Sequence, residues 1–147
     1  MKILKYALFG VIGLVLLGLG AFAYLGMQSR SGSALGLVDG RLAACPASPN
    51  CVSSETGEPA EKTVEPLPLE VWDALPALLA EMGGTVTGQE VTYLSVEFSS
   101  SLFGFVDDVE FRVTETAIHV RSASRVGHSD AGVNQARIAD LRARLGA

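Results

Sequence analysis

Cysteine and histidine, the usual ligands of zinc, are scarce in this chain. Its 147 residues include two cysteines, Cys45 and Cys51, and two histidines, His119 and His128. The histidines lack zinc-finger spacing, and two cysteines alone do not supply the four ligands of a structural zinc site. We therefore expect no metal site.

A complete catalytic triad is also missing. The stretch from Gly127 to Ala131 (GHSDA) resembles the nucleophile elbow of α/β-hydrolases and lies between a predicted strand and a predicted helix. That fold requires its acid and its histidine after the serine, and no histidine follows Ser129. Gly127 is instead expected to form a turn, and Ser129 or Asp130 to cap the following helix.

Basic residues are in the minority. Removing Lys2 and Lys5, which precede a long apolar run, from the eleven basic residues leaves nine against sixteen acidic residues, a formal charge of −7 for the rest of the chain. An acidic domain gains nothing by neutralising phosphates, and basic residues do not alternate with aromatic ones anywhere. The composition therefore excludes a nucleic-acid partner.

Charged residues are absent from one long stretch, Tyr6 to Met27. As a helix, these residues would extend about 33 Å, enough to cross a hydrocarbon core of roughly 30 Å. We predict a transmembrane signal-anchor over 1–27, with 6–27 in the membrane. Lys2 and Lys5 precede the run and only Arg30 closely follows it, so the positive-inside rule predicts a single pass of the inner (cytoplasmic) membrane with the C-terminal part periplasmic.

A cleaved signal peptide is the alternative. Ala21-Phe22-Ala23 fits the small-x-small cleavage pattern after a positively charged beginning. The apolar run is longer than the hydrophobic region of most signal peptides, about 15 residues, which favours a retained anchor. Cleavage after Ala23 stays open at this point.

The exported part begins with a Ser- and Gly-rich stretch, which predicts a flexible tether over 28–41 and a folded domain over 42–147. The acidic stretch from Val52 to Pro68 predicts a solvated, irregular connection. Helical spacing of apolar residues, with Leu79 facing inward, predicts a helix over Leu69–Met82, where Pro76 produces a kink or marks the start. The same spacing, with Ile138 facing inward, predicts another helix that ends near Leu145.

Four strands are predicted between the helices, at Thr85–Thr87, Val91–Ser99, Val106–Val113 and Ala117–Ala123. Alternation along the third strand places Val109 and Phe111 on a buried face and Asp108 and Glu110 on a solvent-exposed face. The predicted fold class is α+β: a small antiparallel sheet of about four strands, packed by two helices, after an N-terminal transmembrane helix.

Cys45 and Cys51 close a loop that contains two prolines. An even cysteine number in an exported domain predicts a disulfide between them. Leu42-Ala-Ala-Cys45 also resembles a lipoprotein box, but a polar stretch separates it from the apolar run, so we treat the match as accidental.

The densest polar segment extends from Arg121 to Arg137, and the adjacent carboxylates of Asp107 and Asp108 are expected near it. These two carboxylates would point to opposite faces of a strand, which argues against a paired acid and base. Two interpretations stay open: a site for a small anion or polar ligand, and an internal Arg–Asp network. The candidate residues are Asp107, Asp108, Arg121, Ser124, Arg125, His128, Asp130, Asn134 and Arg137.

Three blocks in order give the exported part a resemblance to a known family. They are CPASPNCVSS (45–54), SLFGFVDDVEF (101–111) and RSASRVGHSDAGVN (121–134) followed by Arg137-Ile138. Together they resemble the domain of unknown function 1499 family, whose members are mostly bacterial envelope or plastid proteins. The resemblance implies a shared fold, and it implies no particular activity, cofactor or catalytic residue.

These observations favour a membrane-anchored, extracytoplasmic accessory domain, without a catalytic site, that has a protein partner in the envelope. A polar-ligand binder or an envelope enzyme that uses the segment 121–134 is the alternative. Whether the disulfide loop, with Asn50, Ser53 and Ser54 beside it, folds against this segment decides whether the loop would form a wall of such a site.

Overall fold

The structure, a computed structural model, describes residues 2–146, with side chains from Lys5 onward. Met1 and Ala147, the outer ends of the predicted anchor and domain, and the side chain of Lys2 lie outside the described residues. Helix α1 extends over Lys2–Arg30. By length and composition it could cross a membrane, and a signal sequence would have the same properties.

The domain after α1 is α+β, as predicted. Its main sheet has five antiparallel strands in the order β3-β7-β6-β5-β4. These strands are β3 (Cys51–Ser53), β4 (Thr85–Gln89), β5 (Tyr93–Ser99), β6 (Val106–Val113) and β7 (Ile118–Ser124). A separate two-stranded sheet pairs β1 (Leu37–Val38) with β2 (Arg41–Leu42). The main sheet therefore has one strand more than predicted, because β3 pairs with β7 within the segment that was expected to be irregular.

Two helices pack on one face of the main sheet. A 3₁₀ helix over Leu69–Ala74 leads into α2 (Leu75–Glu81), so Pro76 lies in the first turn, where its missing N–H costs no helical hydrogen bond. Helix α3 extends over Val133–Leu145. The predicted inward residues of both helices, among them Leu79 and Ile138, pack with the sheet side chains of this face in one apolar core.

The opposite face of the sheet is also buried, and the prediction that it is solvent-exposed is wrong. Asp108, Glu110 and Arg121 have at most 5% of their surface exposed. The segment 29–42 lies across this face: the backbone N–H of Gly36 donates to Glu110, and Leu42 is buried. Charged residues can be buried here because each has a partner of opposite charge.

The end of α1 is packed against the β5–β6 hairpin. The Ser29 hydroxyl accepts a hydrogen bond from the Val106 N–H at 2.8 Å, and it also lies 3.3 Å from the Val106 carbonyl oxygen. Gly26 is buried, and a Cβ at this position would overlap the carbonyl oxygen of Phe103. The helix therefore continues past the predicted anchor boundary and directly contacts the sheet. The division of the chain into anchor, tether and exported domain stays a prediction.

Candidate functional site

The candidate residues do not form one site, because Asp107 and Asp108 are adjacent on β6 and point to opposite faces of the sheet. The carboxylate of Asp107 points towards α3, and that of Asp108 points towards the segment 29–42. We call the first group the helix-side cluster; it comprises Asp107, Ser122, Ser124, Asp130, Asn134 and Arg137. The second is the opposite-face cluster, and it comprises Tyr93, Glu97, Asp108, Glu110, Arg121 and Arg125.

Arg137 is the central cation of the helix-side cluster. Its guanidinium donates to the Asp107 carboxylate at 2.6 Å and to the Asn134 side-chain oxygen at 2.8 Å. It also lies 4.6 Å from the centre of the Phe98 ring, within the range of a cation–π contact. With these contacts, Arg137 joins α3 to two strands of the sheet.

Asn134 is fully buried beneath Arg137. Its amide nitrogen lies within 3.2 Å of the Asn50 carbonyl oxygen, the Ser124 hydroxyl and the Asp130 carboxylate. Its amide oxygen accepts from Ser122 at 2.5 Å. A buried amide with all these partners connects β7, the loop before α3 and the residues beside the disulfide.

The N-cap residue of α3 is Gly132 rather than Ser129 or Asp130, but the Asp130 carboxylate still reaches the first turn of the helix. This carboxylate accepts from the backbone N–H groups of Gly132 and Asn134 at 3.0 and 2.8 Å. Burial alone would raise the pKa of Asp130, but these hydrogen bonds outweigh it and lower the pKa below the ordinary value of 3.8.

Replacing Asp130 with alanine is expected to lower the free energy of unfolding by about 1–2 kcal/mol at neutral pH. Because the folded-state pKa is depressed, the ionised carboxylate stabilises the fold above the unfolded value of 3.8, and this contribution is lost as the pH falls through the folded-state pKa. Denaturant titrations of both chains, followed by fluorescence of the single tryptophan, Trp72, test this. A difference between the chains that does not shrink in acid would contradict the role of the charge.

Arg125 connects three elements in the opposite-face cluster. It donates to both oxygens of Asp108 at 2.7 Å, forms an ion pair with Glu97, and donates to the Ser29 carbonyl oxygen at 3.2 Å. The hydrogen bonds with Asp108 are the main reason that the pKa of Arg125 is raised. This side chain therefore joins β5, β6 and the end of α1.

Glu110 is fully buried and accepts three hydrogen bonds. The donors are Arg121 at 3.1 Å, the Tyr93 hydroxyl at 2.7 Å and the Gly36 N–H at 2.7 Å. Burial and then the bond to Glu110 raise the pKa of Tyr93. Glu110 is thus positioned as a structural acceptor rather than as an open acid.

Sequence reasoning missed one group of charges on the same face. Glu55 is buried, and its carboxylate accepts from Arg112 at 2.8 and 3.0 Å and from Arg41 at 3.1 Å. Burial alone would raise the pKa of Glu55, but the bonds led by Arg112 outweigh it and lower the pKa. The acidic, Pro-containing stretch around Glu55 gives no periodic signal that distinguishes it from exposed glutamates nearby.

The disulfide between Cys45 and Cys51 is present, which confirms that prediction. The loop it closes contacts the polar segment: the Asn50 side chain donates to the Gly127 carbonyl oxygen at 2.8 Å, and the Asn50 carbonyl oxygen accepts from the Ser124 N–H at 3.0 Å. The disulfide loop therefore folds against the segment 121–134, which the sequence alone left open.

Replacing both cysteines with serine is expected to lower the free energy of unfolding by about 2 kcal/mol, because the loop is short and constrains the unfolded chain little. Denaturant unfolding of the double variant measures the loss. Wild type in reductant is the matched comparison and should unfold at the same denaturant concentration. A loss much larger than this would mean that the disulfide also holds the native contacts of Asn50.

Among the cavities beside the clusters, two are each lined by four of the candidate residues. One, of about 360 Å³, is lined by Asp108, Arg121 and Arg125 together with residues of the segment 29–42 and of the disulfide loop. The other, of about 590 Å³, lies between the end of α1 and the loop before α3; His128, which is exposed, lines it together with Asp107 and Asp130. Asn134 and Arg137 line neither cavity.

A family model described as "Protein of unknown function (DUF1499)" matches residues 41–145. The chain belongs to the DUF1499 family. The match includes the disulfide, both clusters and the main sheet of this DUF1499 domain, and it confirms the resemblance carried by the three sequence blocks. No curated protein and no solved structure matches the chain.

Proposed function

We propose that this DUF1499 protein is a single-pass, membrane-anchored accessory domain that assembles with a protein partner on the periplasmic side of the inner membrane. Helix α1 is its signal-anchor, with Lys5 on the cytoplasmic side. The observation that carries the proposal is an uncharged, open strand edge on a domain that is packed against its own apolar helix.

The pairing of the charged residues on both faces of the sheet supports a non-catalytic role. On the opposite face, four arginines are paired with four carboxylates: Arg41, Arg112, Arg121 and Arg125 with Glu55, Glu97, Asp108 and Glu110. On the helix side, Asp107 is paired with Arg137, and Asp130 accepts from backbone N–H groups at the start of α3. Carboxylates whose lone pairs are occupied by arginines and backbone N–H groups are poor general bases.

The open edge is strand β4, which among the described residues pairs only with β5. The stretch Gly83–Gln89 contains no charged residue and no proline, and Val86 is half-exposed to solvent. Natural edges are usually protected by lysine, proline, a β-bulge or a covering element, and an edge stretch without these devices accepts a partner strand. We therefore place the partner at Thr85 and Val86, before the register shift between Val86 and Gly88.

Site-specific photocrosslinking in native membranes tests this proposal. A benzoylphenylalanine at Val86 is expected to give one discrete adduct with a protein partner. The same residue at Arg144, an exposed position on α3, is the matched control and should give none. Absence of an adduct at Val86, together with absence of a co-purifying protein after gentle solubilisation and cross-linking, would overturn the accessory role.

One observation favours a second candidate, a small polar-ligand site in the 360 Å³ cavity. The Nε of Arg121 is buried and has no hydrogen-bond acceptor among the described protein atoms, whereas buried polar atoms normally have a partner. An N–H donor without an acceptor requires a ligand with an acceptor oxygen, and a small carboxylate is the simplest probe that supplies one.

Thermal unfolding of the full chain with sodium acetate, against sodium chloride at equal ionic strength, tests the second candidate. Arg121→Lys removes Nε but keeps the positive charge beside Glu110. An acetate-dependent rise in Tm that is present in wild type and lost in this variant would support the ligand site, and equal shifts in both chains would exclude it.

A further inference from the structure

The tip of the β5–β6 hairpin is uncharged, and it carries three large apolar side chains, Leu102, Phe103 and Phe105, beside three exposed serines. Nine residues without charge, Phe98 to Val106, separate Glu97 from Asp107. Leu102 at the tip is 80% exposed, and the neighbouring Phe103 and Phe105 are partly exposed. A single exposed leucine is ordinary on a protein surface. Whether this one has a binding role therefore depends on where the hairpin lies relative to α1.

The hairpin runs along α1 towards the N-terminus of the helix. Val106 is hydrogen-bonded to Ser29, the backbone of Phe103 lies against Gly26, and the Phe103 ring stacks on Phe22 with 5.5 Å between ring centres. Moving from Val106 back to Phe103 is therefore a move from the polar end of α1 into its apolar stretch. Leu102 comes next towards the tip.

The sequence of α1 indicates how deep in the membrane the hairpin tip would lie. Tyr6 and Tyr24 are both exposed, and they are separated by about 27 Å along the helix, close to the thickness of the hydrocarbon core. Tyrosines are enriched at the two membrane interfaces, and the Tyr24 hydroxyl accepts a hydrogen bond from Gln28, the first polar side chain after the run. Phe22 lies about 9 Å on the apolar side of Gln28.

We infer that the hairpin tip inserts into the outer interface of the membrane crossed by α1, with Leu102 and Phe103 in contact with lipid acyl chains. This inference rests on the proposed anchoring role of α1. The occupant is lipid rather than protein, because α1 fixes Phe103 beside Phe22, a residue of the apolar stretch that the bilayer surrounds. Arg30, which donates to the Phe103 carbonyl oxygen, then lies at headgroup level.

A fluorescent label on a single cysteine tests the insertion. Both native cysteines are in the disulfide, so Leu102→Cys adds the only reactive thiol. The control is Val91→Cys: Val91 is also apolar, is 89% exposed, and lies in the turn at the other end of β5, about 23 Å away along the strand. Both full-length chains are labelled with an environment-sensitive dye in phosphatidylcholine vesicles, with and without brominated acyl chains.

The label at position 102 is expected to emit at shorter wavelength than the label at position 91. It should also lose most of its emission when the acyl chains are brominated, while the label at position 91 keeps its emission. Two results overturn the insertion while the protein stays in the vesicle fraction. The first is a label at position 102 that emits at the wavelength of a water-exposed dye. The second is a label that emits at shorter wavelength but is not quenched by brominated lipid, which would indicate that protein, not lipid, buries it. Release of the intact chain from vesicles overturns the anchoring itself, and the insertion with it.

Discussion

Replacing Glu110 with alanine is expected to lower the free energy of unfolding by about 3–5 kcal/mol, the cost of leaving a buried partner charge unpaired. The carboxylate is completely buried, and it accepts from Arg121, whose side chain is only 5% exposed, and from Tyr93 and Gly36. Denaturant unfolding of the full chain in detergent, followed by Trp72 fluorescence, measures the loss.

Glu97→Ala is the matched control for this prediction. Glu97 is an acid on the same face of the neighbouring strand, but its side chain is 30% exposed and its partner Arg125 keeps Asp108. We expect a loss of at most about 1 kcal/mol. The double variant Glu110→Met, Arg121→Met should lose less than Glu110→Ala alone, since it removes both charges. If Glu110→Ala is as stable as Glu97→Ala, the opposite-face cluster is not a structural network.

Replacing Gly26 with leucine is expected to separate α1 from the hairpin. Even a Cβ at this position overlaps the Phe103 carbonyl oxygen, so the helix or the hairpin has to move. The Val106 N–H then loses Ser29 as its acceptor. Its hydrogen exchange should become at least about fivefold faster, the equivalent of one hydrogen bond worth about 1 kcal/mol.

Gly20→Leu is the control for the docking prediction. It makes the same substitution in the same helix at a position where a Cβ would have no neighbour within 4 Å. Exchange of the Val106 amide should stay at the wild-type rate in this variant. Unchanged exchange in Gly26→Leu, or equally fast exchange in both variants, would mean that α1 is not docked on the domain.

Local patterns in the sequence were sufficient to predict the main elements. Alternation along β6 correctly separates Val109 and Phe111 from Asp108 and Glu110, and helical spacing correctly selects Leu79 and Ile138 as core residues. Both signals arise within a few neighbouring residues, which is why one sequence contains them.

What the sequence did not reveal depends on contacts between distant residues. Burial of Glu110 requires Gly36, which precedes it by 74 residues in a segment read as a tether. Strand β3 has only three residues and exists because β7, far along the chain, pairs with it. The candidate residues lie on two faces because the segment 121–137 begins within β7, where successive side chains point to opposite sides of the sheet. Glu55 had no local signal that distinguishes it from solvated glutamates.

A cysteine cross-link between α1 and the hairpin tests the central claim, that the domain is held on its own retained membrane helix. Phe22→Cys and Phe103→Cys are introduced together, because their rings are stacked in the structure. Intact membranes are treated with a short bis-maleimide, because stacked rings place the two side chains next to each other without giving the Cα separation that a disulfide requires, and the protein mass is measured. We predict an intramolecular 22–103 cross-link in a full-length chain, which is lost when Gly26→Leu is added. A chain that begins after Ala23, or a full-length chain that does not cross-link, would contradict the account.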